Sequence, residues 1–130
     1  MTPRVPSTDF ILFAAMLRYV AGRTERGDSR IDAMMDLLTM AAAGIEAGGA
    51  FHMPADRLEL GARAFAGVAA FLQKQILPEA INEGNAAGER QIRWAVDSAM
   101  AVVNTLLSGA AAGDGQPVEI RLDPPPDHGQ

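Results

Sequence analysis

Residues 89 to 108 repeat their apolar side chains with the spacing of an α-helix, and this pattern constrains the fold more than any other part of the sequence. The main apolar positions lie three or four residues apart: Ile92, Val96, Ala99, Val103 and Leu106. Side chains at this spacing share one helix face, and this apolar face is buried only when it packs against another element. The stretch therefore predicts a long amphipathic helix within a helical domain.

Trp94, the only tryptophan of the chain, falls on the opposite side of this predicted helix. Arg90 lies one turn before it, and Asp97 and Ala101 share the same side. Tryptophan and arginine are enriched at the energetic centres of protein interfaces. We therefore predict that Trp94 and Arg90 belong to an interface, with incidental exposure of one aromatic residue as the alternative.

Three further helical segments precede this one, at about residues 9–22, 29–47 and 54–77. Pro78 has no amide hydrogen for a continuous helix, so it predicts a break followed by a short continuation. With residues 89 to 108, these segments predict an all-α fold, an antiparallel four-helix bundle whose third helix is broken at Pro78.

Capping residues mark several of the predicted helix ends. Ser29 is the expected N-cap of the second helix, and Gly48-Gly49 is its expected stop. Pro54 fits the first turn of the third helix, so residues 49–53 are expected to form a short loop. Asn85 is a possible cap before the last helix.

The ends of the chain differ from its centre in composition. Residues 1–7 contain two prolines and are expected to form an irregular arm, whereas residues 8–108 form the bundle domain. Residues 109–130 are expected to form a flexible link and a tail containing His128. Within them, alternation over 117–122 indicates either one short strand or a disordered segment. A single strand would pair with a second chain, add to another protein's sheet or lie along the bundle.

Composition excludes several functional classes. A length of 130 residues suits one domain, and a net charge of −5 argues against nucleic acid as a partner. The absence of cysteine excludes disulfides, thiolate metal sites and a cysteine nucleophile. No uninterrupted apolar run approaches the roughly 18 residues that cross a bilayer. We expect a cytoplasmic protein without a membrane partner.

The predicted helices carry more apolar surface than a small bundle can bury. The first helix is apolar on every side, with Phe10 and Phe13 among its large residues. The third helix has a second apolar strip that includes Leu60 and Phe71. Together with Trp94, these surfaces predict self-association into a homo-oligomer, with a dimer favoured.

The sequence contains no convincing catalytic constellation, and we expect no cofactor. His52 lies in a predicted loop without a carboxylate at helical spacing. The arginines at 18, 23, 26 and 30 indicate either a solvated connection or contact with a phosphate or an acidic partner. Two pairs of carboxylates lie at a spacing of four residues: Asp32 and Asp36, and Glu79 and Glu83. They indicate either solvated helix surfaces or, as the alternative, a magnesium site.

These observations favour a non-catalytic helical module for protein interaction or structure. One alternative is a magnesium-assisted, phosphate-processing all-α enzyme that uses the helix-borne carboxylates. The other is a small accessory or regulatory protein that presents its C-terminal strand to a protein partner.

Overall fold

A computed structural model describes residues 8–125, and its helices form a bundle with one small antiparallel sheet. The predictions for residues 1–7 and 126–130, including His128, lie outside the described residues. The elements in chain order are α1 (Thr8–Arg23), α2 (Ser29–Gly48), β1 (Ala50–Met53), α3 (Leu58–Phe71), α4 (Leu77–Asn82), α5 (Ala86–Ala112) and β2 (Val118–Arg121).

The bundle consists of two antiparallel helix pairs. α1 and α2 are joined by residues 24–28, and Phe10 near the start of α1 lies against Gly49 just after α2. α3 and α5 form the second pair, with Leu58 at the start of α3 beside Gly109 near the end of α5. The predicted all-α bundle is confirmed. Its core contains these fully buried side chains: Phe13, Leu17, Leu38, Ile45, Met53, Phe65, Val68, Leu72, Val102 and Leu106.

Local capping chemistry sets the helix ends. Asp28, rather than the predicted Ser29, is the N-cap of α2, because its carboxylate accepts hydrogen bonds from the amides of Arg30 and Ile31. Gly49 ends α2 in the left-handed conformation at φ 76°, as a glycine stop requires. Asn85 caps α5 by accepting a hydrogen bond from the Gly88 amide at 2.9 Å. The predictions for Gly49 and Asn85 are confirmed.

The third principal helix changes its hydrogen-bond pattern just before Pro78. A 3₁₀ turn at Ala55–Arg57 leads into α3, and Leu72–Ile76 form a π-helical turn whose end joins α4. The Leu77 amide donates to the Leu72 carbonyl, five residues earlier. Proline lacks an amide hydrogen and crowds the carbonyl four residues before it. The wider π turn therefore connects α3 to α4, and Pro78 lies in the first turn of α4.

The buried face of α5 is rotated from the predicted one. Ala95, Ser98 and Val102 are buried, whereas Val96 is only half-buried. The helix also continues four residues past its predicted end at Ser108, to Ala112. The rotation arises because α5 is covered from two directions, by α3 on one side and by β2 and the residues after it on the other.

β1 and β2 form a two-stranded antiparallel sheet with Phe51 opposite Ile120 and Met53 opposite Val118. The prediction of a loop at 49–53 is wrong, because Ala50–Met53 form a strand directly after Gly49. The possible strand at 117–122 exists as β2, and it pairs within its own chain. Ile120 and Leu122 alternate with exposed Glu119 and Arg121 because one face of the sheet packs on the core.

α5 is the helix within residues 8–125 whose length and average composition would allow it to cross a membrane. The sequence prediction concerned uninterrupted apolar runs, and charged residues interrupt α5 at Glu89, Arg90, Arg93 and Asp97. The expectation of no membrane partner stays a prediction. Core helices of soluble proteins commonly share such a composition, and α5 contributes Ala95, Ala99 and Leu106 to the bundle core. Its length alone therefore assigns it no membrane role.

Candidate functional site

Trp94 packs within its own chain. Its ring lies 6.1 Å from the Phe10 ring and 5.7 Å edge-on to the Phe13 ring, measured between centroids. Its indole Nε1 donates a hydrogen bond of 3.2 Å to the Asp123 carbonyl. The premise that Trp94 points away from its own domain is wrong, because α1 and the segment after β2 lie on that side of α5.

The residues predicted to share an interface with Trp94 differ widely in exposure. Phe13 is fully buried, so it has no surface to offer a partner, and Phe10 is half-buried against Trp94 and Gly49. Arg90 is exposed, and no carboxylate of residues 8–125 forms an ion pair with it. Trp94, Phe10 and Phe13 therefore belong to one internal aromatic cluster.

The second strip of α3 is also covered from inside the chain. Leu60 is half-buried, and the Phe71 ring lies 5.8 Å from the Tyr19 ring of α1. The Arg23 guanidinium lies 4.7 Å from the centre of the Phe71 ring and 5.6 Å from that of Tyr19. This stacked arrangement is a cation–π contact. Phe71 of this strip therefore joins α3 to α1.

The outer face of α1 keeps large apolar side chains in solvent. Ile11 is 42% exposed, Leu12 37% and Tyr19 57%. Thr8, Leu12, Ala15, Tyr19 and Gly22 follow one another at spacings of four, three, four and three residues, and all five are exposed. We call these five residues the outer seam. Its spacing is that of a coiled-coil contact line, and none of its members is charged.

An ion pair lies beside the outer seam. The Arg18 guanidinium donates two hydrogen bonds to the Glu46 carboxylate of α2, at 2.7 and 2.8 Å. The side-chain hydrogen bond from Arg18 lowers the pKa of Glu46 below its usual range. The same hydrogen bond raises the pKa of Arg18. Both groups therefore stay charged at neutral pH, and together they add no net charge to this surface.

We expect Arg18→Gln to raise the pKa of Glu46 towards that of an ordinary carboxyl group. A carboxylate with a lowered pKa contributes stability above its unfolded-state pKa, and this contribution is lost as the pH falls through the folded-state pKa. The effect on stability is small because the pair is exposed. A carboxyl carbon NMR titration of both proteins measures the shift, and coincident Glu46 curves would contradict it.

The four carboxylates of the magnesium alternative do not come together. Asp32 and Asp36 of α2 share Arg26, which lies 3.9 and 3.2 Å from their carboxylate oxygens. Glu79 and Glu83 are exposed at α4 and its end. Across residues 8–125, no three carboxylate or histidine side chains are grouped as metal ligands. The arrangement gives the phosphate-processing enzyme no support, and we do not propose it.

The sheet places His52 on the surface and pairs β2 with β1 of the same chain. The His52 side chain is 70% exposed, and its Nε2 lies 4.0 Å from a Glu119 carboxylate oxygen on the paired strand. This position is that of an ordinary cross-strand pair. One edge of β2 is hydrogen-bonded to β1 of the same chain.

Comparison of the chain with protein-family profiles, with curated protein sequences and with solved structures finds no match.

Proposed function

We propose that this protein is a non-catalytic helical interaction module that self-associates through the outer face of α1. A single observation carries the proposal: the outer seam places uncharged side chains at coiled-coil spacing on an exposed helix face. The occupant is a second copy of the same chain. Two such faces would pair isologously, so that each copy uses the same residues.

The dimensions of the outer seam suit helix-to-helix contact. Leu12 and Tyr19 are two turns apart, with the small Ala15 between them. A small residue at the centre lets two helix backbones approach closely, while the larger side chains on either side fill the remaining space. Isolated apolar residues are common on protein surfaces, but a continuous row of uncharged residues at this helical spacing is typical of a contact line.

Charge favours an antiparallel arrangement of the two copies. Asp9 lies in the first turn of α1 and Arg23 in its last turn. In a parallel pair, Asp9 would face Asp9 of the second copy and Arg23 would face Arg23. An antiparallel pair instead brings Asp9 towards Arg23 of the second copy. Antiparallel helices also oppose their macrodipoles. The Arg18–Glu46 ion pair beside the outer seam has no net charge, so it adds no repulsion between two copies of this acidic chain.

We expect a dimer of moderate affinity. α1 has 16 residues, and at 1.5 Å per residue its length is about 24 Å. A contact confined to helices of this length is smaller than an obligate dimer interface. A dissociation constant on the order of micromolar is therefore expected.

Sedimentation equilibrium of the full chain, from about 1 to about 500 µM, tests this proposal directly. Leu12→Lys is expected to weaken the dimer by about tenfold or more, because association would bury the ammonium group. Leu107→Lys is the matched control, since Leu107 is a leucine on α5 that is 47% exposed and lies outside the outer seam. Circular dichroism checks that both variants keep their helicity.

Two results would refute the proposed dimer. One is a monomer across the whole concentration range for the unchanged protein. The other is a dimer that survives Leu12→Lys but is lost in Leu107→Lys, which would place the contact on α5.

Single cysteines test the antiparallel orientation, because the chain has no cysteine of its own. Ala15→Cys lies at the centre of the outer seam and is expected to form a disulfide-linked dimer on mild oxidation. Gly22→Cys lies at the end of the seam, so in an antiparallel pair the two thiols are too far apart to bond. Efficient linking through Gly22→Cys would indicate a parallel pair.

A further inference from the structure

An open cleft between the start of α2 and the start of α3 contains three arginines. The cleft has a volume of about 710 Å³ and is lined by Arg30 of α2, Arg57 before α3 and Arg63 within α3. Ala33, Leu58 and Ala110 add an apolar part to the wall. The volume falls within the range of small-molecule sites.

The arginines of this cleft lack the ion pairs that most other arginines make. Within residues 8–125, no carboxylate lies within 4.0 Å of the guanidinium groups of Arg30, Arg57 and Arg63. The other arginines of the described chain, apart from Arg90, are paired with carboxylates or stacked on aromatic rings: Arg18, Arg23, Arg26, Arg93 and Arg121. Three arginines without a carboxylate or an aromatic ring as partner therefore line one cleft of a chain whose net charge is −5.

Guanidinium groups bind phosphate through paired, charge-assisted N–H···O hydrogen bonds. Three of them offer more donors than a single phosphate group needs, and they come from α2, from the 3₁₀ turn before α3 and from α3. Asp56 and Glu59 line the same cleft. A carboxylate repels phosphate but accepts hydrogen bonds from hydroxyl groups. The combination suits a ligand that carries both a phosphate group and hydroxyl groups.

We propose that this cleft binds a small phosphate monoester of a polyol or sugar. Arg30, Arg57 and Arg63 hold the phosphate, and Asp56 and Glu59 accept hydrogen bonds from the hydroxyl groups. The apolar wall excludes water from one side of the ligand. Of the four arginines clustered at 18–30 in the sequence, only Arg30 takes part. This site is independent of the outer seam, so neither proposal depends on the other.

Calorimetric titration of the full chain with ribose 5-phosphate and with inorganic phosphate tests the site. Arg57→Gln and Arg63→Gln are each expected to weaken both ligands by about tenfold, the effect of losing a charge-assisted hydrogen bond. Arg90→Gln is the matched control, because it removes one positive charge from an exposed arginine outside the cleft. This control should bind both ligands as the unchanged protein does.

The acidic residues provide a second, opposite readout. The double variant Asp56→Asn/Glu59→Gln is expected to bind inorganic phosphate more tightly and ribose 5-phosphate more weakly. Tighter binding of both ligands would show that the acids only repel anions, and it would overturn the assignment of a polyol phosphate. The site itself would be overturned by absent saturation up to about 10 mM of either ligand, or by equal weakening in Arg90→Gln and Arg57→Gln.

Discussion

Trp94→Ala is expected to lower the free energy of unfolding by about 3 kcal/mol, the lower end of the range for truncating a large aromatic residue in a core. The substitution removes the edge-on contact with Phe13, the contact with Phe10 and the hydrogen bond to the Asp123 carbonyl. The cavity would open where α1, α5 and the segment after β2 meet. Trp94 is half-buried, which keeps the expected loss from being larger.

Urea unfolding followed by far-ultraviolet circular dichroism measures this loss, because the substitution removes the tryptophan that fluorescence would use. Trp94→Phe is the control: it keeps a ring against Phe10 and Phe13 but lacks the indole donor, so a loss of about 1 kcal/mol is expected. A Trp94→Ala protein with unchanged stability and weakened self-association would instead support an interface role for this residue.

Gly44→Ala is expected to destabilise the protein by about 3 kcal/mol, the upper end of the usual cost of overpacking. A Cβ atom at Gly44 would collide with the Ala50 carbonyl oxygen and lie 2.9 Å from the Phe51 Cβ. Both neighbours are fixed by the backbone of β1, so α2 and β1 would have to move apart. Phe51 stacks on Phe65 with ring centroids 5.6 Å apart, and this contact would be disturbed.

Gly48→Ala is the matched control, since Gly48 is one turn further along α2 and no atom of another segment lies within 4 Å of the position that an added Cβ would take. We expect this control to leave stability unchanged or to raise it by a few tenths of a kcal/mol, because alanine favours helix over glycine. Hydrogen exchange adds a local measurement: the amides of β1 should lose protection in Gly44→Ala only. Equal unfolding free energies for the two variants would contradict the tight contact between α2 and β1.

Periodicity and capping chemistry predicted most of the helical fold. The apolar stripes located all four principal helices, and Gly49 and Asn85 act as the predicted end and cap. These signals are local, because a helix makes its hydrogen bonds within one segment and a cap acts within one turn. Asp28 replaced Ser29 as the N-cap since both residue types can fill that position and only the backbone geometry chooses between them.

The sheet and the phase of α5 depend on distant partners. Ala50–Met53 is too short for a pattern, and it becomes a strand only because Val118–Arg121 lies beside it. The position of β2 also explains Trp94. A helical wheel assumes one buried face, whereas α5 packs against α3 on one side and against α1 and the C-terminal segment on another.

The candidate sites were predicted less well than the fold. The apolar character of α1 was visible in the sequence, but the exposed positions emerged only when α2 and α3 covered the remainder of the helix. The arginine cleft had no local signal, because Arg30 belongs to a different helix pair from Arg57 and Arg63. Sequence spacing finds groups on one element, and this cleft joins groups from two.

The pairing of β1 with β2 has a consequence for how the chain folds during synthesis. Ala50 and Arg121 are partners about 70 residues apart in the chain, so their ladder closes after the residues of both helix pairs have been made. Until residue 121 has left the ribosome, β1 has no strand to accept its backbone hydrogen bonds, and Phe51 and Met53 lack their cross-strand neighbours. A nascent chain stopped before β2 would leave both edges of β1 unpaired, and unpaired strand edges are sites at which chains aggregate.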